Sequence, residues 1–467
     1  MSTRHAAQEV NPFLTAPIGR LFVSNAFPMA VVMSMGGVLN IVDGIFVGHF
    51  IGSDALAAVS LAFPMAMVLS ALTTLVGGGM SSPMARYLGA GDRTSAGRMF
   101  AGAHGLALAI SIGLAALWAV RGTALVDFMA AGNPKVGGLA QDYLRIIILG
   151  APAQLMLGVH ADALRNEGRA GLIAVLAVLV NLLNMGANWC GIVMLDLGIS
   201  GSALGTVAAQ AFGLMLLVEV RRRGKGLLPL SVLGSQNWLG AWSQMVRLGL
   251  PLCLSFIGIA VVASIVILSL RFSADPGKYD ALVAAYGVVT RLLSFAFLPQ
   301  MAIALATQSI AGNNAGGGLH DRARTALWLA MGTAFLWCLA VVLIGISGGA
   351  ILGSLFSDDP TVIEAVAEIL RPMMLLYAAS GPVLVLALYF QALGQPGQTA
   401  ALTLVKPWLL MPTLILALSV GYGVSGIWLA FPTADAIIVM LAVMIGRSAL
   451  HSAGAPAVNA GGIHEDQ

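Results

Sequence analysis

Long apolar runs alternate with short polar stretches along most of this chain. A helix of about 20 apolar residues crosses the hydrocarbon core of a bilayer, so each long run predicts one membrane span. Twelve spans are predicted, at residues 17–48, 55–80, 98–120, 142–164, 170–194, 201–221, 246–270, 281–311, 325–347, 362–392, 400–420 and 425–446. The pattern therefore predicts an all-α protein that crosses a membrane many times.

The composition supports this prediction and excludes the soluble classes of protein. Hydrophobic residues make up 58% of the 467 residues, charged residues make up 9%, and the mean hydropathy is +0.91. In a soluble domain about a quarter of the residues are charged, because its surface must face water. The polar start Met-Ser-Thr-Arg-His predicts no removable signal peptide.

The longest polar interruption, between Arg221 and Arg247, divides the chain into two halves. We expect a first lobe at residues 17–221, a linker at 222–245 and a second lobe at 246–447, with end segments at 1–16 and 448–467. Three matches relate the lobes at a nearly constant offset along the chain, namely Pro28 with Pro251, Gly168 with Gly394, and Gly198 with Gly423. Each lobe holds six spans in the same orientation, which predicts parallel repeats around an axis along the membrane normal, as in many secondary transporters.

Basic residues cluster in alternate loops, and this asymmetry predicts the orientation of the chain. The clusters are Arg86, Arg93 and Arg98, then Arg165 and Arg169, the run Arg221–Lys225, Arg322 and Arg324, Lys406, and Arg447. Because cytoplasmic loops are enriched in Lys and Arg, both termini and the linker are expected to be cytoplasmic. The run Arg221–Lys225 joins two spans and has no interleaved aromatic residues, so nucleic acid is not an expected partner.

A carboxylate lies inside the first predicted span, at Asp43. An aspartate in the centre of a membrane helix costs about 2.5–3.5 kcal/mol on insertion scales, so it usually faces a cavity or a partner. At 1.5 Å per residue, Asp43 lies roughly 10 Å below the outer end of its span. Asn184, Asn188 and Thr206 are predicted at overlapping depths on the fifth and sixth spans. We expect these four side chains to form one polar cluster.

Several polar residues of the spans leave alternatives open. Asn184 and Asn188 share one helix face with Asn181 nearby, and such amides also hold membrane helices together. Arg291 in the eighth span could meet an anionic substrate or a carboxylate of the other lobe, or it could extend to the outer interface. Pro28 removes one backbone hydrogen bond of the first helix, which predicts a static kink or a hinge.

Two further polar residues lie in the second lobe, Gln300 and Asp435. Gln300 is a candidate for binding substrate, together with Asn181 and Arg291. Asp435 lies in the middle of the twelfth span, where a carboxylate could bind a proton.

Other motifs predict neither an enzyme nor a metal site. His160 and Asp162 are the sole candidate catalytic pair, and their i,i+2 spacing directs the side chains apart on a helix. The glycine-rich segments 77–79 and 312–318 lack a preceding strand and a Gly-Lys-Ser/Thr ending, which argues against a phosphate-binding loop. The cysteines lack metal-ligand spacing, which predicts buried free thiols at Cys190, Cys253 and Cys338.

Seven short motifs, in order over the twelve spans, carry a family resemblance. They are Val42-Asp43-Gly-Ile-Phe-Val-Gly48 with Ala55–Ser60, Arg86-Tyr-Leu-Gly-Ala-Gly-Asp92, Leu164-Arg-Asn-Glu-Gly168, Asn184-Met-Gly-Ala-Asn188, Gly198–Ala203 and Gln391-Ala-Leu-Gly-Gln-Pro396. Over about residues 17–447 the chain resembles the multidrug and toxic compound extrusion (MATE) family, more its DinF-like branch than its NorM branch.

The resemblance implies a V-shaped pair of six-helix bundles that exports organic, often cationic, compounds against an inward flow of H⁺ or Na⁺. In similar proteins the first-helix aspartate is the coupling residue, with polar residues of the fifth and sixth helices and a bend at the first-helix proline. These roles correspond here to Asp43, Asn184, Asn188, Thr206 and Pro28, and Tyr143 is a further candidate. No cofactor is implied, the lipid bilayer and small organic substrates are the expected partners, and a monomer is expected.

Two departures from the family pattern favour H⁺ over Na⁺ as the coupling ion. Some relatives have a second acid on the fifth helix, where this chain has Asn188. The seventh-helix acid associated with Na⁺ coupling is absent from Gly249–Gly258. A flippase for lipid-linked oligosaccharides remains the alternative, although that class usually has extra spans and a basic central cavity.

Overall fold

A computed structural model describes residues 11–130, 133–224, 226–275 and 277–452. Apart from short turns, the secondary structure of these residues is helical, and no strand occurs among them. The α-helices are α1 (Pro12–Thr15), α2 (Ile18–Phe50), α3 (Ser53–Gly89), α4 (Arg93–Met129), α5 (Pro134–Asn166), α6 (Ala170–Trp189), α7 (Gly198–Arg222), α8 (Val232–Ser235), α9 (Trp242–Ser273), α10 (Tyr279–Gly316), α11 (His320–Ser354), α12 (Pro360–Met374), α13 (Ser380–Ala392), α14 (Pro396–Leu404) and α15 (Met411–Ser452). Short π-helices follow α6 at Cys190–Met194 and α14 at Val405–Leu410.

The described helices form ten or eleven apolar spans, one of which is much longer than a single crossing requires. Ten segments are long and apolar enough to cross a membrane, and α12 with α13 forms one further span that is bent by 56°. The last of the ten, Pro396–Ser448, has 53 residues. That is roughly 80 Å of helix, enough for two crossings. Gly423 breaks its helical backbone with φ 58° and ψ −139°. The prediction of an all-α protein with many membrane spans is confirmed.

Several helices are longer than the predicted spans, and one is interrupted. The second span was expected at 55–80, but α3 continues to Gly89, because its last turns pack against protein and need no apolar character. The tenth span was expected to run unbroken from 362 to 392. Instead α12 ends at Met374 after Pro372, and a 3₁₀ turn at Tyr377–Ala379 precedes α13. Proline lacks the N–H that an uninterrupted helix requires, and this weakens the helix at that point.

The backbone confirms the internal repeat. Six glycines adopt a left-handed conformation, with φ between 54° and 82°, at corresponding helix ends or breaks of the two halves. The pairs are Gly91 with Gly318, Gly168 with Gly394, and Gly198 with Gly423, again at a nearly constant offset. Side-chain-bearing residues rarely adopt this conformation, so each pair marks one turn that both halves share.

One close contact between the halves lies at the ends of α3 and α10. A methyl group on Gly89 would lie well inside van der Waals distance of the Asn313 carbonyl oxygen. A methyl group on Gly316 would clash in the same way with the Arg86 carbonyl oxygen. Gly89 and Gly316 hold equivalent positions in the two halves, just before Gly91 and Gly318. These are therefore the two copies of one contact, and the two helix ends pack backbone against backbone.

Polar side chains strengthen this contact on the face that also holds α1, which we call the terminal side. Asn11 caps α1 and donates from its amide to Asn313 Oδ1 at 2.8 Å. Arg165 of α5 pairs with Asp162 at 2.7 Å and donates to Ser309 Oγ of α10 at 3.3 Å. Ser309 Oγ donates in turn to Asn166 Oδ1 at 2.8 Å. The lobes are therefore joined on the terminal side in this structure.

The segment between the lobes folds against the first lobe. Arg221 at the end of α7 pairs with Glu167 at 2.8 Å, and both side chains are buried. The indole of Trp242, at the start of α9, donates to the Gly102 carbonyl oxygen at 3.0 Å. The proposed domain limits themselves stay predictions. The three cysteines are free thiols in the structure; Cys253 and Cys338 are buried, and Cys190 is half-buried.

Candidate functional site

Asp43 lies in the last third of α2, where this helix packs against α6 and α7. The amide nitrogen of Asn188 donates to Asp43 Oδ1 at 2.7 Å. Asn188 is fully buried at the end of α6, whereas Asp43 is half-buried. The shared depth expected from the sequence thus corresponds to a direct contact.

Asn184 and Thr206 complete the cluster around Asp43. Asn184 is one turn before Asn188, and the two amides are 3.4 Å apart. The Asn184 side chain contacts the Thr206 hydroxyl at 3.2 Å. Exchanging the oxygen and nitrogen of the Asn184 amide lets its nitrogen donate to Asp43 Oδ1 at 3.3 Å while its oxygen accepts from Thr206. In that orientation two amide N–H groups point at one carboxylate.

Gly205 of α7 provides the space that the Asn188 side chain occupies. A methyl group on Gly205 would overlap Asn188 Oδ1 and would lie 2.9 Å from the Asn188 backbone nitrogen. Asn188 Oδ1 is itself buried and accepts no hydrogen bond among the described residues. The position of the amide that donates to Asp43 therefore depends on the absence of a side chain at Gly205.

We predict that Gly205→Ala slows transport about tenfold, a change of about 1.4 kcal/mol, because it displaces the Asn188 amide from Asp43. The measurement is the initial rate of gradient-driven dye uptake into proteoliposomes. Gly186→Ala on the adjacent helix is the control, since nothing lies within 4 Å of the added methyl group. Equal rates for the two variants would show that the Asn188 position does not matter.

Tyr143 of α5 lies on the side of the cluster that is remote from α1. It packs with Val47 of α2 and Leu144 in one apolar group that closes over the end of the first lobe. Val47 is one turn of α2 after Asp43, so Tyr143 packs beside the turn that carries Asp43. The structure thus brings Asp43, Tyr143, Asn184, Asn188 and Thr206 together, as expected; their role in coupling stays a prediction.

Asn181 and Pro28 lie outside this cluster. Asn181 is half-buried two turns before Asn188, and it makes no side-chain hydrogen bond to any described residue. Pro28 is inside α2, which continues from Ile18 to Phe50 as one helix. A hinge at Pro28 therefore stays a prediction.

The second lobe places Arg291 and Gln300 in different surroundings. Arg291 is exposed on the same face of α10 as Phe295 and Leu298, which lie against Gly37 of α2. It therefore faces the first lobe across the boundary between the lobes. Gln300 is buried and accepts a weak hydrogen bond from the Cys338 thiol at 3.7 Å, inside the second lobe.

An ion pair inside the second lobe was not predicted. Lys406 Nζ pairs with Asp435 Oδ1 of α15. Placing Lys406 in a cytoplasmic loop was wrong, because it lies in the π-helix Val405–Leu410, near the middle of a span. Its own predicted span, 400–420, contained the signal: a lysine inside an apolar run requires a partner, and Asp435 was the available carboxylate.

The remaining candidate pair, His160 and Asp162, separates as expected. His160 Nε2 is 3.1 Å from His104 Nε2, whereas Asp162 pairs with Arg165. No group of three or more His, Cys, Asp or Glu side chains could hold a metal ion in the part of the chain that the structure describes.

Comparisons with known proteins agree with this architecture. The sequence model of the MatE family matches residues 28–190 and 251–416. The chain is 28% identical to the FAD transporter of Shewanella oneidensis over 90% of this chain and 92% of the relative. It is 24% identical to the multidrug export protein MepA of Staphylococcus saprophyticus over 89% of this chain and 91% of the relative.

One similar solved structure is described as an outward-facing conformation of a multidrug resistance MATE family transporter of the MOP superfamily. The TM-score is 0.87 at 22% identity, with 96% of this chain and 99% of that chain covered. At this identity the likeness establishes a shared fold of two lobes.

Proposed function

This chain belongs to the MatE family of multi-span membrane transporters, and from that premise we propose that it exports small organic compounds in exchange for H⁺. The observation that supports the proposal best is the hydrogen bond from Asn188 to Asp43 inside the first lobe. A carboxylate held within a membrane span by fixed amides is suited to exchange a proton between two conformations.

The orientation of the amides favours H⁺ over Na⁺. A sodium site would present oxygen atoms to the cation. Here the nitrogen of Asn188 points at Asp43, and Asn184 can add a second nitrogen after its amide rotates. Two N–H donors at the carboxylate repel a metal cation but stabilise a negative charge that a proton can later neutralise.

The proposed cycle uses the two protonation states of Asp43. Protonation from the outside removes the acceptor charge, so the bond to Asn188 weakens, α2 rearranges and bound substrate leaves. Deprotonation towards the inside restores the anion, which favours a cationic or polar substrate. Each 100 mV of membrane potential contributes about 2.3 kcal/mol per charge moved.

The contact between the lobes suggests how access alternates. On the terminal side, α3 and α10 meet through Gly89 and Gly316, and Arg165 joins α5 to α10. We propose that this side is cytoplasmic and closed in the present conformation, and that it opens when Asp43 exchanges its proton. The proposed location is a bacterial inner membrane with both termini in the cytoplasm, and the proposed working unit is a monomer.

The experiment that tests this function measures ethidium transport in proteoliposomes under imposed gradients. We expect a pH gradient to drive uptake, a protonophore to abolish it and an equal Na⁺ gradient to leave the rate unchanged. Uptake driven by Na⁺ alone would replace H⁺ by Na⁺ as the coupling ion, and uptake without any gradient would indicate a channel.

Export of a flavin nucleotide is the second candidate function. The FAD transporter relative suggests it, and the observation that favours it is positive charge in the second lobe, at Arg291 and Lys406. FAD added to the same proteoliposomes should compete with ethidium if both use one pathway. An unchanged ethidium rate at saturating FAD would exclude this candidate.

A further inference from the structure

The two lobes differ in charge at one pair of repeat-related positions inside their spans. At the repeat offset that relates Gly198 to Gly423, Lys406 corresponds to Asn181 and Asp435 corresponds to Gln210. In the first lobe Gln210 donates to Gln154 at 3.4 Å. Two neutral amides of one lobe are therefore replaced by an ion pair in the other. Because the first lobe folds without these charges, the fold itself does not require them.

The backbone departs from regular helix at the same place. Lys406 lies in the π-helix Val405–Leu410, whereas Asn181 lies within the regular helix α6. Beside the pair, the span of α12 and α13 is broken at Tyr377–Ala379, while α5 continues through the corresponding position of the first lobe. Interrupted helices and π-helical turns recur at the binding sites of transporters and at functional sites in general.

The broken span faces the ion pair. Tyr377, in the 3₁₀ turn, packs against the apolar cluster that includes Ala434, the neighbour of Asp435 on α15. Ser380 follows in the first turn of α13 and contacts the Cys338 thiol at 3.8 Å. We call these four polar residues of the second lobe, Lys406, Asp435, Tyr377 and Ser380, the second-lobe site.

Exposure within the pair is unequal. The Asp435 side chain is 10% exposed, whereas the Lys406 side chain is 32% exposed. Lys406 is therefore the more accessible member of the pair. Lysine carries three N–H donors, and Asp435 Oδ1 is the single acceptor of Lys406 Nζ among the described residues.

We propose that the second-lobe site binds the anionic group, a carboxylate or a phosphate, of a transported organic compound, which takes the place of Asp435 on Lys406. Before substrate binds, Asp435 holds the Lys406 side chain in position. Tyr377 and Ser380 then donate hydroxyl hydrogen bonds to the other oxygens of the bound carboxylate or phosphate. This inference rests on the proposed transport function and adds a substrate class to it, because Asp43 in the first lobe is suited to cations.

Equilibrium binding to the purified protein in nanodiscs tests this site without any gradient. The probes are riboflavin and its phosphate ester FMN, which share one ring system and differ in the phosphate. We expect wild type to prefer FMN. Asp435→Asn removes the competing carboxylate, so FMN affinity should rise by about tenfold while riboflavin affinity stays the same.

The matched variant grafts the first-lobe residues onto the second lobe, as Lys406→Asn with Asp435→Gln. It places at both positions the neutral amides that the first lobe tolerates, so it should fold even if Asp435→Asn alone does not. We expect it to bind riboflavin and FMN equally. If it retains the wild-type preference for FMN, or if wild type shows none, the proposal is overturned and the ion pair only joins two helices.

The outcomes for the two proposals are separable. If the grafted variant loses the FMN preference but still transports ethidium normally when driven by protons, that result supports the second-lobe site and leaves the role of Asp43 intact. A preserved FMN preference in the grafted variant would contradict the anion site alone, and failed proton coupling of wild type would contradict the antiport alone.

Discussion

Asp43→Asn is expected to abolish proton-driven export, because the new amide cannot bind and release a proton in the accessible range. The substitution keeps size and hydrogen bonding, since the Asn188 amide can still donate to the new oxygen. With 100 mV across the membrane, one coupled charge supports a concentration ratio of roughly fifty. We expect the variant to reach no accumulation above empty liposomes. The measurement is ethidium accumulation under an imposed pH gradient.

The matched control for this prediction is Asp142→Asn. Asp142 is also on a membrane helix of the first lobe, in α5, but it is exposed. The same chemical change there should leave accumulation unchanged. Normal ethidium accumulation by Asp43→Asn would contradict the coupling role of Asp43. Equal losses of accumulation in both variants would indicate a general effect of removing a negative charge.

Gly89→Ala is expected to prevent tight closure of the terminal side and to slow transport at least tenfold, a change of about 1.4 kcal/mol or more. The added methyl group collides with the Asn313 carbonyl oxygen, which belongs to a helix backbone and cannot rotate away. Gly316→Ala, the repeat-related change, collides with the Arg86 carbonyl oxygen and should have the same effect. The two helix ends must then separate.

Labelling reports this separation directly. A cysteine at Ala392, which is buried at the end of α13, would react with an impermeant maleimide only when the terminal side opens. In a background lacking the three native cysteines, we expect Gly89→Ala to increase labelling. Gly171→Ala is the control, because nothing lies within 4 Å of its added methyl group. Unchanged labelling and transport in Gly89→Ala would show that the glycine contact is not a gate.

The sequence alone predicted the membrane class, the positions of most spans and the repeat. Whether a segment can span a bilayer depends on its own side chains and length and on the thickness of the bilayer. It can therefore be predicted without knowing which helices lie beside it. The equivalence of Gly198 and Gly423 was also visible, because the same left-handed turn requires glycine in both halves. The branch within the family and the orientation of the termini stay predictions.

The candidate site was partly predictable. Asp43, Asn184, Asn188 and Thr206 could be grouped because depth follows from residue count along a straight helix. The hydrogen bond from Asn188 to Asp43 could not, since it depends on how α2 rotates against α6 and on the space at Gly205.

By itself, then, the sequence determined that this chain is a two-lobed membrane protein with a carboxylate in its first helix. Only the tertiary structure decided which groups meet: the lysine expected in a loop pairs with Asp435, and the glycines of α3 and α10 join the lobes. The physical reason is that burial in a membrane is a property of each segment, whereas a contact depends on the rotation and separation of two helices that are far apart in the chain.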